Sequence, residues 1–422
     1  MKKNSCLKTL NKSVWVGGAL LSSAVMALAD DTSDLKARVA QLEAIAAKEG
    51  ILPSGTTPPK FVSAMSDITV SGFVQASYFY NTRHPADGKS DGYLWNTSDN
   101  SFSLNKFKLT LASKPVATDK WDAGFRASLM FGEDAADLNS GSTTTVLTPP
   151  TSFPGTTTTA AVAGFDGLRE AFVEINVPIG TGLNIKAGEL ISLLNWESGD
   201  GGAANPNFSQ GNQWWFTGNG PSAGVQATYN FTDKVGLTLR VDNGLFQGPV
   251  DNNEGKAFSG SLAFKPTKDL WFNIIGWYDD QPGGTDVSGF STIGGLQVTK
   301  ALGTGWELDY FNFSSPGNAS DLWSGGLWVW YDFTSKLGVA LRADYIGSPD
   351  PTFGLGPAVR PGAGVTTFAT GENHIGSVTF TVNLKPTASL KIQPELRYDF
   401  TNGRLDGKRD RVIVGCGATY MF

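Results

Sequence analysis

The sequence is poor in cysteine, histidine and charge. Two cysteines occur in 422 residues. Cys6 sits in an amino-terminal leader and Cys416 stands alone, so neither a disulfide framework nor a cysteine metal site is available. Two histidines occur, His84 and His374, and both fall in or at the edge of long connections. GKSDG (88–92) matches G-x-S-x-G in spacing alone, within an Asp/Gly-rich long connection and not on a strand-to-helix elbow, so a hydrolase triad is not expected. Charged residues make up 17% of the chain. Removing the four leader lysines leaves 29 bases against 39 acids, a formal charge of −10. Such a chain gains nothing from counterion release, which excludes nucleic acid as a partner. Beyond the leader no apolar run is long enough for a transmembrane helix. A water-soluble secreted β protein and an outer-membrane barrel remain.

The leader has basic residues Lys2, Lys3, Lys8 and Lys12 and an apolar run from Val14 to Ala29. Ala27 and Ala29 precede Asp30 as small residues suited to signal peptidase, so 1–29 is expected to be a cleaved signal peptide. Leu35, Val39, Leu42 and Ala46 then follow at spacings of four, three and four. They predict a short coiled-coil-like helix over 30–50, either solvated or a periplasmic association element. Gly50 and Pro53 stop it, and 51–67 is a Pro/Gly/Thr-rich linker.

From Ile68 the period becomes two, and sixteen alternating segments reach to Phe422. Short connections alternate with long ones at 81–101, 132–167, 191–221, 243–255, 279–289, 314–322, 346–374 and 399–410. The fragments FTDK, KPTKD, FTSK and KPTAS all fall in short connections and begin the same kind of strand. One rim of turns and one of loops is the shape of an antiparallel up-and-down outer-membrane barrel. Tyr80, Trp121, Phe131, Tyr229, Phe231, Tyr278, Trp306, Phe333, Tyr345 and Tyr398 lie near strand ends, where they suit the headgroup level. The predicted fold is therefore all-β: a transmembrane barrel of about sixteen strands over 68–422. Partners and place follow: outer-membrane lipid, small hydrophilic solutes and the bacterial outer membrane. A carbohydrate-binding β-sandwich is the water-soluble alternative.

Three stretches carry a family resemblance: NSFSLNKFKLTLASKPVATDKWDAGFRASLMFGEDA (100–135), LREAFVEINVPIGTGLNIKAGEL (168–190) and NPNFSQGNQWWFTGNGPSAGVQATY (205–229). Together with the terminal strand ending in Phe422, they resemble the OmpL-like β-barrel porin family. The resemblance implies an outer-membrane channel with no cofactor. In the third stretch Gln210 stands where the family commonly has arginine, and a family histidine is missing.

Parity predicts which charges face the lumen. The inward bases are Lys106, Lys108, Arg126, Lys186, Arg240, Arg342, Lys391, Arg397 and Arg411. The inward acids are Asp122, Glu170, Glu174, Asp242, Glu307, Asp309, Asp344, Glu395 and Asp399. Nine against nine predicts modest ion selectivity. Arg-x-Asp recurs at Arg240/Asp242, Arg342/Asp344 and Arg397/Asp399, pairs that share one face. The connection NWESGDGGAANPNFSQGNQWWFTGNG (195–220) is the candidate constriction. Folded inward, it would present Trp196, Glu197, Asp200, Trp214 and Trp215 to the passage, a pairing of aromatic faces and carboxylates suited to sugar-like solutes. The low-complexity stretch 139–163 reads as an outer surface loop. ADGKSDG (86–92) could hold a divalent cation but lacks EF-hand spacing. Passive diffusion is the expected function, with a non-conducting structural or adhesive barrel as the alternative. A homo-oligomer, a trimer as in many porins, stays open.

Overall fold

The computed structural model describes residues 68–90, 96–140, 165–217, 220–245, 251, 253–281, 284–315, 318–349 and 373–422, except the side chains of 136, 137, 215, 216, 285, 315 and 318. The leader 1–29, the helix expected over 30–50, the linker 51–67 and nearly all of 139–163 lie outside the described residues.

Sixteen strands close on themselves. In chain order they are β1 Thr69–Asn81, β2 Ser101–Ser113, β3 Asp122–Phe131, β4 Leu168–Val177, β5 Leu183–Leu190, β6 Ser222–Asn230, β7 Val235–Asp242, β8 Ala257–Phe264, β9 Leu270–Gln281, β10 Thr285–Gln297, β11 Leu302–Ser315, β12 Asn318–Asp332, β13 Leu337–Ser348, β14 Asn373–Leu384, β15 Leu390–Leu405 and β16 Lys408–Met421. Each strand pairs antiparallel with its sequence neighbours, and β16 returns to β1. At the seam Phe422 and Gly72 exchange backbone hydrogen bonds of 3.0 and 2.9 Å. A Cβ at Gly72 would meet the Lys108 carbonyl at 2.1 Å and the Phe422 ring at 2.8 Å, so glycine lets the terminal ring lie against the seam.

The distribution of apolar side chains decides between barrel and sandwich. Leu239, Phe258, Leu308, Leu341, Leu396 and Val414 point outward and are exposed, while Arg342, Arg397, Gln393 and Thr381 point inward and are buried. A soluble β protein has the opposite arrangement; apolar-out and polar-in is that of a barrel in lipid. The aromatic residues at strand ends follow: Trp121, Phe131, Phe231, Tyr278, Phe333, Tyr345 and Tyr398 are all exposed on the outer face.

The repeated turn fragments share one device. The hydroxyl of Thr232 accepts from the backbone N–H of Lys234 and Val235, each at 3.1 Å. Thr267, Thr299 and Thr334 do the same for the first residue of β9, β11 and β13 and the residue before it. Thr387 caps Leu390 at 3.1 Å. The hydroxyl satisfies amides that the ladder has not yet reached. Thr299 belongs to this set although VTKA does not look like the other fragments.

Three of the eight connections read as long are short. The β9–β10, β11–β12 and β15–β16 pairs run out to residues 281/285, 315/318 and 405/408. Past the hydrocarbon an outward side chain no longer needs to be apolar. Asp286, Arg404 and Asp410 therefore break the alternation while the ladder continues. The inner wall also departs from a uniformly polar lining. Ile275, Trp277, Val287, Phe311, Phe313, Leu322, Ile346, Ile375 and Leu405 form one buried cluster on the inner faces of β9 to β15.

Replacing Thr232, Thr267, Thr299, Thr334 and Thr387 together by valine removes these caps at nearly constant shape. Each is expected to cost about 0.5–1.5 kcal/mol, read as a lower urea midpoint of the folded barrel in detergent with the heat-modifiable gel shift retained.

Candidate functional site

The segment between β5 and β6 folds into the barrel and docks on its inner wall. It carries a 3-10 turn at Gly201–Ala203 and a short helix, α2, at Asn212–Thr217; α1 is the single turn Ala135–Leu138 after β3. The turn touches β1, β15 and β16, and α2 touches β12, β13 and β14.

Charged wall residues hold the loop by its backbone. The Glu395 carboxylate on β15 accepts the N–H of Phe208 at 2.8 Å and of Ser209 at 3.2 Å. It also accepts the Thr381 hydroxyl at 2.8 Å. Arg342 on β13 donates to Glu197 at 3.0 Å, to Thr379 at 2.8 Å and to the Ser209 carbonyl, and its Nε lies 3.4 Å from Asp344. Asp344 accepts the N–H of Asn212 at 3.1 Å. Glu307 accepts the N–H of Trp196 at 2.7 Å, and Asp309 accepts the Gln213 amide at 2.8 Å. Arg397 donates to the Gln210 carbonyl at 2.6 Å and to Asn212 at 2.9 Å, while its Nε pairs with Asp399 at 2.7 Å. Lys391 donates to the carbonyls of Gly202 and Asn205 at 3.0 and 2.6 Å. Lys108 meets Asp200 at 2.9 Å. A loop buried without secondary structure leaves its amides and carbonyls unpaired; these side chains replace the missing ladder.

Aromatic rings complete the seat where the wall is glycine. Trp196 lies on Gly305, where a Cβ would come within 2.2 Å of its ring, and stacks on Trp328 with centroids 4.6 Å apart. Phe208 lies on Gly417 at 2.0 Å by the same measure and stacks on Phe79 at 5.6 Å.

The charges read by parity as inward lie in several different surroundings. Lys106, Glu307, Asp309, Arg342, Asp344, Glu395 and Arg397 project inward and are buried. All but Lys106 bind the loop directly; Lys106 pairs with Asp134 at 3.1 Å, just before α1. Burial pushes the Asp134 carboxyl up against the opposing pull of Lys106. Glu197 does not present itself to the passage: its side chain is fully buried, facing Arg342, Trp328 Nε1 at 3.1 Å and the Gly211 N–H at 2.7 Å. Asp200 is a quarter exposed beside Lys108. Trp214 donates to the Glu197 carbonyl at 2.7 Å and packs near Met130 and Leu138. The Trp215 side chain is outside the described residues. Gln210, the departure noted above, closes the loop on itself by donating to the Ser198 carbonyl at 3.0 Å. Asp122 lies at the short-turn rim, where it accepts the N–H of Val116 and Ala117.

The opposite wall is only partly covered: Glu170, Arg240 and Asp242 are buried there, while Arg126 and Lys186 are partly exposed. Arg126 pairs with Glu170 at 2.6 Å and keeps a third of its side chain exposed. Lys186 sits 3.9 Å from Glu174 and 4.9 Å above the Phe172 ring, with 29% exposure. Arg240 donates to Gln226 at 2.7 Å and to the Ile191 carbonyl at 2.8 Å, and Asp242 turns to the Gly244 N–H at 3.1 Å. Sequence parity misses Arg169 and Glu189. A bulge after Ser128 turns both Arg169 and Glu170 inward, and two successive inward residues violate the period of two. Parity also misses Asp279, which lies beyond the expected end of its strand. The two histidines both meet tyrosines: His84 hydrogen-bonds Tyr80 at 3.0 Å and His374 stacks on Tyr345.

The model of the beta-barrel porin-2, OmpL-like family matches residues 67–422, the whole barrel. The chain belongs to that family. It is an outer-membrane porin by family and architecture, and its place is the bacterial outer membrane. No curated protein sequence matches it. An anion-selective porin from Comamonas acidovorans is 11% identical with a TM-score of 0.54, covering 84% of this chain and 99% of that one. OprB of Pseudomonas putida is 13% identical with a TM-score of 0.54, covering 86% and 96%. OmpT of Vibrio cholerae is 9% identical with a TM-score of 0.54, covering 84% and 97%. At these identities the likeness is one of fold.

Breaking the seat at its most buried charge tests how the loop is held. Arg342→Ala strands Glu197 and Asp344 and is expected to cost about 3–5 kcal/mol of loop docking. The readout is faster chymotrypsin cleavage within 195–217 on a barrel that keeps its heat-modifiable shift. Arg342→Lys is expected to rescue little, since a single ammonium cannot span Glu197, Thr379 and the Ser209 carbonyl.

Proposed function

We propose that this porin conducts small hydrophilic solutes by passive diffusion through a water-filled lumen narrowed on one side by the loop 195–217. The observation that carries the reading is the asymmetry of the interior. Wall charges on β11 to β15 bind the loop and are buried, whereas Arg126, Glu174 and Lys186 on β3 to β5 keep partly exposed side chains. Sixteen strands enclose room for water. A loop docked against one arc leaves the other arc as the path. Solutes cross down their gradient, and the wall's part is electrostatic and steric.

The reading extends to the rest of the chain. The leader 1–29 directs export, 30–50 forms a short periplasmic helix, and 51–67 links it to the barrel. A trimer is the proposed assembly, supported by the Vibrio cholerae OmpT described in a trimer form.

Purified barrel in a planar bilayer is expected to give discrete, persistent open steps. Replacing 199–211 by a short Gly-Ser bridge is expected to raise the step size several-fold while the barrel stays folded. A folded barrel that never conducts would overturn the diffusion reading in favour of a structural envelope role.

A further inference from the structure

We infer that the open passage prefers small anions, and that a basic niche on the partly exposed wall of β2 to β7 is its selectivity site. This rests on the diffusion reading above and deepens it.

The niche is a cavity of about 360 Å³ on the inner faces of β2 to β7, beside the start of the inward loop. Its charged lining is Lys114, Arg126, Lys186 and Arg240 against Glu170 and Glu174, a surplus of two positive charges. The chain as a whole is acidic, so the surplus is local and does not follow from composition. It arises because the loop sorts the wall. Asp344, Glu395, Glu307 and Asp309 are covered and accept hydrogen bonds from the loop. A permeating ion meets exposed groups first, and its interaction with charges beyond about 8–10 Å is largely screened in physiological salt.

The bases in the niche are incompletely neutralised. Lys186 stands 3.9 Å from Glu174, a loose pair, and Glu170 is shared between Arg126 at 2.6 Å and the Ser128 hydroxyl at 2.8 Å. Arg240 is buried and oriented by an amide oxygen and a carbonyl, with the Asp242 carboxyl near it on the same face, so Arg126, Lys186 and Lys114 are the bases a permeating ion can reach. Lys114 is exposed at the end of β2. Apolar side chains, Phe172 and Leu193 among them, also line the cavity. Basic groups beside an apolar surface suit an organic carboxylate with a flat apolar body as well as a halide.

The rival determinant is the covered seat, where carboxylates outnumber bases; if its field governs, the channel prefers cations. Reversal potential across a tenfold KCl gradient in a planar bilayer separates the two. The parent protein is expected to pass chloride several-fold better than potassium. The double substitution R126Q/K186Q is expected to lose that preference, and Glu174→Gln is expected to strengthen it. The opposite signs of these shifts exclude a general loosening of the barrel. Benzoate is expected to interrupt the chloride current in the parent and less so in R126Q/K186Q. Conductance with cation preference in the parent, or variants that leave the reversal potential unmoved, would overturn the inference alone. Absence of any conductance would overturn the diffusion reading and this one with it.

Discussion

Backbone amides and carbonyls have no partner in hydrocarbon, so a sheet can cross a bilayer only if it has no edge. Everything else in this molecule depends on that constraint. The sixteenth strand must find the first, and the paired hydrogen bonds between Phe422 and Gly72 lie at that join. Closure fixes which face of every strand meets lipid and which meets the lumen. It turns an unremarkable alternation into an apolar jacket around a polar interior. The threonine-capped turns serve the same end on one rim, because a strand entering the membrane must arrive with its first amides already satisfied.

The polar interior then has a second task. A barrel of this width enclosing only water would discriminate little. The loop 195–217 fills one side, and it is held as a ligand would be: carboxylates on its amides, guanidinium and ammonium groups on its carbonyls. Buried ion pairs contribute little net stability compared with apolar packing, but they are costly to break singly. That combination suits a loop that must stay in one place in a wet environment, where apolar contacts alone permit sliding. Trp196 on Gly305 and Phe208 on Gly417 add two points of close packing that set its position.

Much of the barrel was legible from alternation because the strand period and the lipid boundary act residue by residue. Strand number could be read that way, and the terminal strand ending in Phe422 through the family resemblance. The reading failed where a second influence replaced the period. Beyond the membrane, Asp286 and Asp410 lost the apolar-out signal while β10 and β16 continued. At the bulge in β4 an extra residue carried Arg169 inward out of turn. The loop was recognisable as a candidate from its length and aromatic content, yet Glu197 faces the wall because Arg342 is there to receive it.

Local alternation thus pointed to a barrel of about sixteen strands with a polar inner face, and the stretches 100–135, 168–190 and 205–229 to its family, since each rests on neighbours in sequence. Tertiary structure alone decided which inner charges the loop covers. Nine inward bases and nine inward acids are equal in the sequence, but the loop covers mainly one arc of them. Contacts made across more than a hundred residues, such as Arg342 with Glu197 and Glu395 with Phe208, choose that arc. No local pattern records such distances, because the side chains that hold the loop look the same in the chain as the inward ones it leaves uncovered.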